Sequence, residues 1–209
     1  FQYVVVKDGF VSVAGEFDPA ELTGPIAVTM EAVPASTHKN YSGEWTSFRG
    51  SDDNMAIRSA LTPTTTNEVH LKWAVKMGTD MWQSPTPPII LNDVEVDGKT
   101  HDVLICAMAK KIYLLDKETG ETLKSAPMAG SAGFATNPLT YGDGLVFVQL
   151  DNQIQAFDAA TLESVWMSEK IVGQTISPIT YYKGHIYIGT WQGETYDGTF
   201  ACFSVADEK

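Results

Sequence analysis

Groups able to carry acid–base, nucleophilic or metal chemistry are sparse in this chain, and their spacing is unhelpful to catalysis. The four histidines, His38, His70, His101 and His185, are scattered, with no pair spaced to share one face as metal ligands do. His185 reads as a surface residue in the turn entering a strand. Cys106 and Cys202 fall in different repeat units, too far apart for a bridge, and read as small buried hydrophobes. Asp93-Val-Glu-Val-Asp-Gly98 places oxygen ligands at alternate positions before a glycine, as in the first half of an EF-hand. Asp93, Glu95 and Asp97 are therefore a weak metal candidate. Where that loop needs a bidentate carboxylate, however, stands Leu104, so the preferred reading is a hairpin turning at Asp97-Gly98. Asp52-Asp-Asn54 has no partner acid elsewhere and reads as a solvated loop. No catalytic residue is expected.

The elements that position these groups come from a repeat. Trp82-Gln-Ser-Pro85, Ala135-Thr-Asn-Pro138 and Thr175-Ile-Ser-Pro178 each place a small polar residue before a proline that opens an apolar strand; the prolines are 53 and then 40 residues apart. Asp116-Lys-Glu-Thr-Gly120 and Asp158-Ala-Ala-Thr-Leu162 lie 42 apart, each after an apolar strand, and Trp73 and Trp166 precede Ser84 and Ser177 by the same 11 residues. Repeats of this length made of short strands are propeller blades, because one four-stranded sheet cannot bury both its faces alone.

In the middle unit the strands are expected at 138–141, 145–149, 154–157 and 164–167, with Gly142-Asp-Gly144 as the first turn. The first unit is lengthened by an insertion at 92–102, and the third stops before a fourth strand. Blade units are placed at about 84–128, 137–170 and 177–209. One extra outer strand is expected at 71–77, pairing with strands from beyond Lys209. Upstream, residues 1–34 read as three strands, one within 1–10 that ends in an Asp-Gly turn and two more at 11–14 and 25–32, and 35–43 as a polar, proline-bearing linker. A chain that starts at Phe1 without a leader reads as a mature or excised segment.

These motifs resemble the quinoprotein-like β-propeller family, whose repeat runs S-P, a strand after Gly, an apolar strand ending in D-x-x-T-G, then W. The opening Glu44-Trp-Thr-Ser-Phe-Arg-Gly50, with Asn54 and Leu71-Lys-Trp73, resembles the entry of such propellers. Lys124 stands in place of the tryptophan in the first unit and Ser204 in place of the aspartate in the third. The N-terminal stretch is similar to the end of an Ig-like or carboxypeptidase-regulatory-like module of bacterial surface proteins. The resemblance implies an all-β, partial propeller of about three blades plus one outer strand. Some members hold pyrroloquinoline quinone between a tryptophan and two adjacent cysteines, with calcium. This chain has no adjacent cysteines, so no cofactor is expected.

Residues just before each inner strand converge on one mouth of a propeller channel. Trp82, Gln83, Phe134, Thr136, Gln174 and Thr175 are thus the candidate ligand-binding set: aromatic faces beside amides and hydroxyls. A formal charge of −12 opposes nucleic acid and anionic lipid as partners. With 44% hydrophobic residues, 17 Gly and 10 Pro, the composition suits a turn-rich globular chain, and no apolar run approaches the roughly 18 residues of a membrane span. The function expected is a non-catalytic binding platform, extracellular or on a bacterial surface, for a protein, peptide or glycan. The edges of its open arc are expected to pair with missing blades or another chain. A quinone-dependent dehydrogenase and an envelope-assembly scaffold are the alternatives.

Overall fold

The computed structural model describes all residues except 8, 33–35, 52–53, 60–61, 79–84, 133–137, 176, 192–196 and 206–209. Strands β1 (Gln2–Val5) and β2 (Val13–Glu16) form an antiparallel pair at the N-terminus, with Phe1 stacked on Phe17 at 5.7 Å. The strand expected at 25–32 reduces to a single bridge, Phe10 to Ala32.

Three antiparallel sheets follow. The first has the order β3-β4-β5-β6-β7, from β3 (Gly43–Trp45), β4 (Ile89–Val96), β5 (Lys99–Met108), β6 (Lys111–Asp116) and β7 (Thr122–Pro127). The second is β8 (Thr140–Gly142), β9 (Leu145–Gln149), β10 (Ile154–Asp158) and β11 (Ser164–Met167), in chain order across the sheet. In the third, β12 (Gln174–Thr175) and β13 (Thr180–Tyr182) pair with successive parts of β14 (His185–Trp191), and β15 (Phe200–Ser204) adds on the far side. These are blades of a partial all-β propeller. Among the described residues no helix is long and apolar enough to cross a membrane.

Each blade turns its first hairpin on the same two-residue device. Asp97-Gly98, Asp143-Gly144 and Lys183-Gly184 all have positive φ at both positions (50° and 77°, 48° and 84°, 47° and 78°). Two consecutive left-handed residues match the right-handed twist of the flanking strands, and the glycine takes the second at no steric cost.

Alternate residues of the paired strands face opposite neighbours, so the middle blade joins two cores. Ile105, Ala107, Ile112 and Leu114 of the first blade meet Leu139, Tyr141, Val146 and Val148 of the second. The second blade's other face, Leu145, Phe147, Ile154 and Ala156, packs on Ile179, Tyr181, Ile186 and Ile188 of the third, with Phe147 stacked on Tyr181 at 5.4 Å. Burying each of the Val, Leu, Ile and Phe side chains among them stabilises by about 1.5–3 kcal/mol, so the inter-blade seams hold the arc. Trp166 joins the second seam, edge-on to Phe203 at 6.0 Å. Lys124, at the equivalent outer position of the first blade, instead reaches Asp97 at 2.9 Å.

Residues 71–77 carry no strand. They lie along the first blade, where Trp73 Nε1 donates to the Lys117 carbonyl at 3.1 Å and the Tyr113 hydroxyl donates to the Met77 carbonyl at 2.7 Å. Trp73 covers Gly120, where any Cβ would strike its ring.

Candidate functional site

Asp116 and Asp158 end the third strands of their blades and do identical work. Asp116 Oδ1 accepts from the Glu118 and Thr119 amides and the Thr119 hydroxyl, at 3.0, 2.8 and 3.0 Å; Asp158 Oδ1 accepts from the Ala160 and Thr161 amides and the Thr161 hydroxyl, at 3.0, 2.9 and 3.1 Å. A carboxylate there satisfies turn amides that water would otherwise have to serve. The second oxygen of each contacts a histidine: His101 Nδ1 lies 2.8 Å from Asp116 Oδ2, and His38 Nδ1 lies 2.8 Å from Asp158 Oδ2. The His101 contact, with the Thr119 and Glu118 donors, outweighs burial and holds the Asp116 carboxyl down at about 2. At Asp158, burial pulls the pKa up, but the Thr161, His38 and Ala160 hydrogen bonds prevail and lower it. The aspartates were visible as repeat markers. Their histidines were not, because His38 lies 120 residues from Asp158 and neither histidine occupies a repeat position.

His38 belongs to the stretch expected as linker, and that stretch is bound to the propeller. Ser36 Oγ donates to the Asp143 carbonyl at 2.8 Å. The Tyr41 amide donates to the Tyr141 hydroxyl, which donates to Asn40 Oδ1, both at 2.6 Å. Lys39 pairs with Glu95 at 3.3 Å, and Tyr41 packs against the first seam. The next residues run along the inner edges of the blades. β3 pairs with β4, and the Thr46 carbonyl accepts from the Tyr141 amide at 2.8 Å. The chain then makes a 3-10 turn at Phe48–Gly50 and reaches the third blade. A cavity of about 190 Å³ remains there, lined by Ser47, Phe48, Asn54 and the inner-strand residues Pro178, Ile179, Thr180 and Tyr181.

Of the expected ligand set, Trp82, Gln83, Phe134 and Thr136 lie outside the described residues. Gln174 and Thr175 form β12, opposite Trp191 and Thr190. Thr175 is buried, and its hydroxyl donates to the Leu150 carbonyl at 2.5 Å, which ties the third blade to the β9–β10 turn. Asp93 sits on a bulge of β4 with φ 55°, while Glu95 and Asp97 are paired with Lys39 and Lys124. Among the described residues no three His, Cys, Asp or Glu side chains converge as a metal set. His185, expected at the surface, is only 3% exposed and faces Ser204 across β14 and β15. Cys106 is buried, and burial pushes its thiol up to about 11; Cys202, expected buried, is exposed.

The exposure of Cys202 has a structural cause. Strand register makes His185, Tyr187, Phe200 and Cys202 the counterparts of Leu145, Phe147, Ile154 and Ala156, the second blade's seam residues. On the third blade this face is open in part among the described residues: His185 is buried, but Phe200 is 75% exposed and Trp191 and Tyr182 are each about half exposed.

The family model described as outer membrane protein assembly factor BamB matches residues 67–197. This chain belongs to the BamB family. Outer membrane protein assembly factor BamB of Francisella salina is 29% identical over 92 residues, 44% of this chain and 17% of that protein. The BamB of Francisella tularensis subsp. tularensis (strain SCHU S4 / Schu 4) is 29% identical over 94 residues, 44% of this chain and 20% of that protein. The chain thus spans a fifth or less of the BamB relatives it matches. A europium-containing methanol dehydrogenase shares the fold at a TM-score of 0.59 and 18% identity, over 79% of this chain and 30% of that one.

Proposed function

We propose that this chain is part of a non-catalytic scaffold of the cell envelope, a BamB-type propeller that holds protein partners during outer-membrane protein assembly. The family match over residues 67–197 carries the reading. The site geometry supports it. The two Asp–His pairs are spent on turn capping and on docking the upstream segment, and the open aromatic face of the third blade offers a further sheet or a partner protein a surface to cover. The mouth residues Trp82, Gln83, Phe134, Thr136, Gln174 and Thr175 remain the proposed contact set on the channel side. The β1–β2 pair we take as the end of an Ig-like module carried upstream of the propeller.

The test is genetic and biochemical together. In source cells lacking the gene, folded β-barrel proteins of the outer membrane should fall in amount, and a copy carrying Trp191→Asp and Phe200→Asp should fail to restore them. Unchanged barrel levels, together with dye reduction by purified protein supplied with pyrroloquinoline quinone, calcium and alcohols, would replace the scaffold with a dehydrogenase.

A further inference from the structure

We propose that the segment 71–78 and the first-blade face it covers form a site for one soft monovalent metal ion, copper(I) or silver(I), held by the sulfurs of Met77, Cys106 and Met108. Strand alternation puts Cys106 and Met108 on the same face of β5, opposite the one that Ile105 and Ala107 turn to the first seam. Met77 lies over that face, with its Sδ 3.8 Å from Cys106 Sγ. The Met108 sulfur lies beside the next residue, where a Cβ on Gly78 would stand 3.6 Å from Met108 Sδ. Three sulfurs from two elements thus gather at one place. The segment is pinned there by Trp73 on Gly120 and by the Tyr113 hydroxyl on the Met77 carbonyl.

The donors select the ion. Thiolate and thioether are soft ligands that suit copper(I), and among the described residues no three His, Cys, Asp or Glu side chains gather to offer a nitrogen and oxygen shell instead. Burial selects the valence. Cys106 is 5% and Met108 8% exposed, so a complex with net charge is costly there. A monovalent ion with one thiolate and two uncharged thioethers is neutral overall, whereas zinc(II) in the same shell leaves a buried positive charge. Binding exchanges a proton for the metal: the Cys106 S–H bond breaks, a sulfur–metal bond forms and the proton leaves to solvent. Burial pushes the metal-free thiol up to about 11, so it stays protonated and inert until a metal takes the proton's place. Entry requires only that the segment lift, since 71–78 carries no strand and Leu71 is 84% exposed.

This site does not rest on the scaffold reading. The test uses the purified chain carrying Cys202→Ser, which removes the exposed second thiol, under anaerobic conditions. Copper(I) is titrated in competition with a chromogenic copper(I) chelator, and zinc(II) with a zinc indicator. One equivalent of copper(I) should be retained, with an X-ray absorption spectrum of an all-sulfur shell, and zinc(II) should bind about a hundredfold or more weakly. Met77→Leu and Met108→Leu keep side-chain volume and so the fold, which melting curves confirm, and each should weaken copper(I) by about tenfold. Cys106→Ser should abolish retention. The proposal is overturned by failure to retain copper(I), by an affinity that either leucine substitution leaves unchanged, by nitrogen or oxygen in the metal's shell, or by zinc(II) binding as tightly as copper(I).

Discussion

Leu162 stands where the first blade has Gly120, and both take a left-handed backbone, with φ of 58° and 74°. A leucine in that region is strained by about 1–2 kcal/mol, and glycine would relieve it. Leu162 is 2% exposed within the first seam, however, and deleting a buried leucine side chain costs about 2–5 kcal/mol. Packing should win. Leu162→Gly is expected to destabilise by about 1–3 kcal/mol in urea unfolding, and a gain in stability would show that strain dominates. Asp116 gives a pH prediction. Its folded pKa, about 2, lies below the ordinary carboxylate value, so its stabilisation is fully present above about pH 4 and is lost as pH falls towards the folded value. Asp116→Asn should be less stable than the parent at neutral pH, and the gap should close on acidification. Melting curves between neutrality and strong acid check this, and a gap that stays constant would remove the carboxylate from the explanation.

At the scale of elements, the inter-blade seams invite a direct test. Trp166 is half-buried against Phe203, and Trp166→Ala should cost about 2–4 kcal/mol, whereas Lys124→Ala, at the equivalent outer position, removes only a partly exposed ion pair with Asp97 and should cost under about 1 kcal/mol. Equal losses would contradict the assignment of Trp166 to inter-blade packing. Tyr141→Phe leaves the Tyr41 amide and the Asn40 side chain without their shared hydroxyl, so amide exchange at Tyr41 should quicken while the β9 amides stay protected. The middle blade was legible almost residue by residue, because Gly142-Asp-Gly144 and the apolar runs around it are local signals. The strand expected at 71–77 was not formed. A strand needs a partner edge, and periodicity reports a pattern of side chains without saying whether an edge is present. The docking of 36–42 was equally invisible, since polar, proline-containing composition describes a linker and a bound segment alike. The cavity beside Ser47 is not legible at all, because it needs residues 47 and 180 side by side.

Over the whole molecule, one face is out of balance. Tyr182, Trp191 and Phe200 on one face of the third blade leave three large aromatic side chains about half or more exposed. The 209-residue chain on its own should therefore associate as its concentration rises, despite its charge of −12, and Phe200→Asp should reverse this in sedimentation experiments. A strictly monomeric parent would mean that the charge outweighs the patch. The upstream segment has a consequence in time. Its partners Asp143, Tyr141 and Asp158 lie 107, 101 and 120 residues further along the chain from Ser36, Asn40 and His38, whereas the blade hairpins close over a few residues. Closing so long a loop has a large entropic cost, so these contacts form after the hairpins they bind. During synthesis the segment leaves the ribosome before its anchors and docks late: they do not exist until the second blade has been made, and its final lock, at Asp158, waits for that blade's third strand.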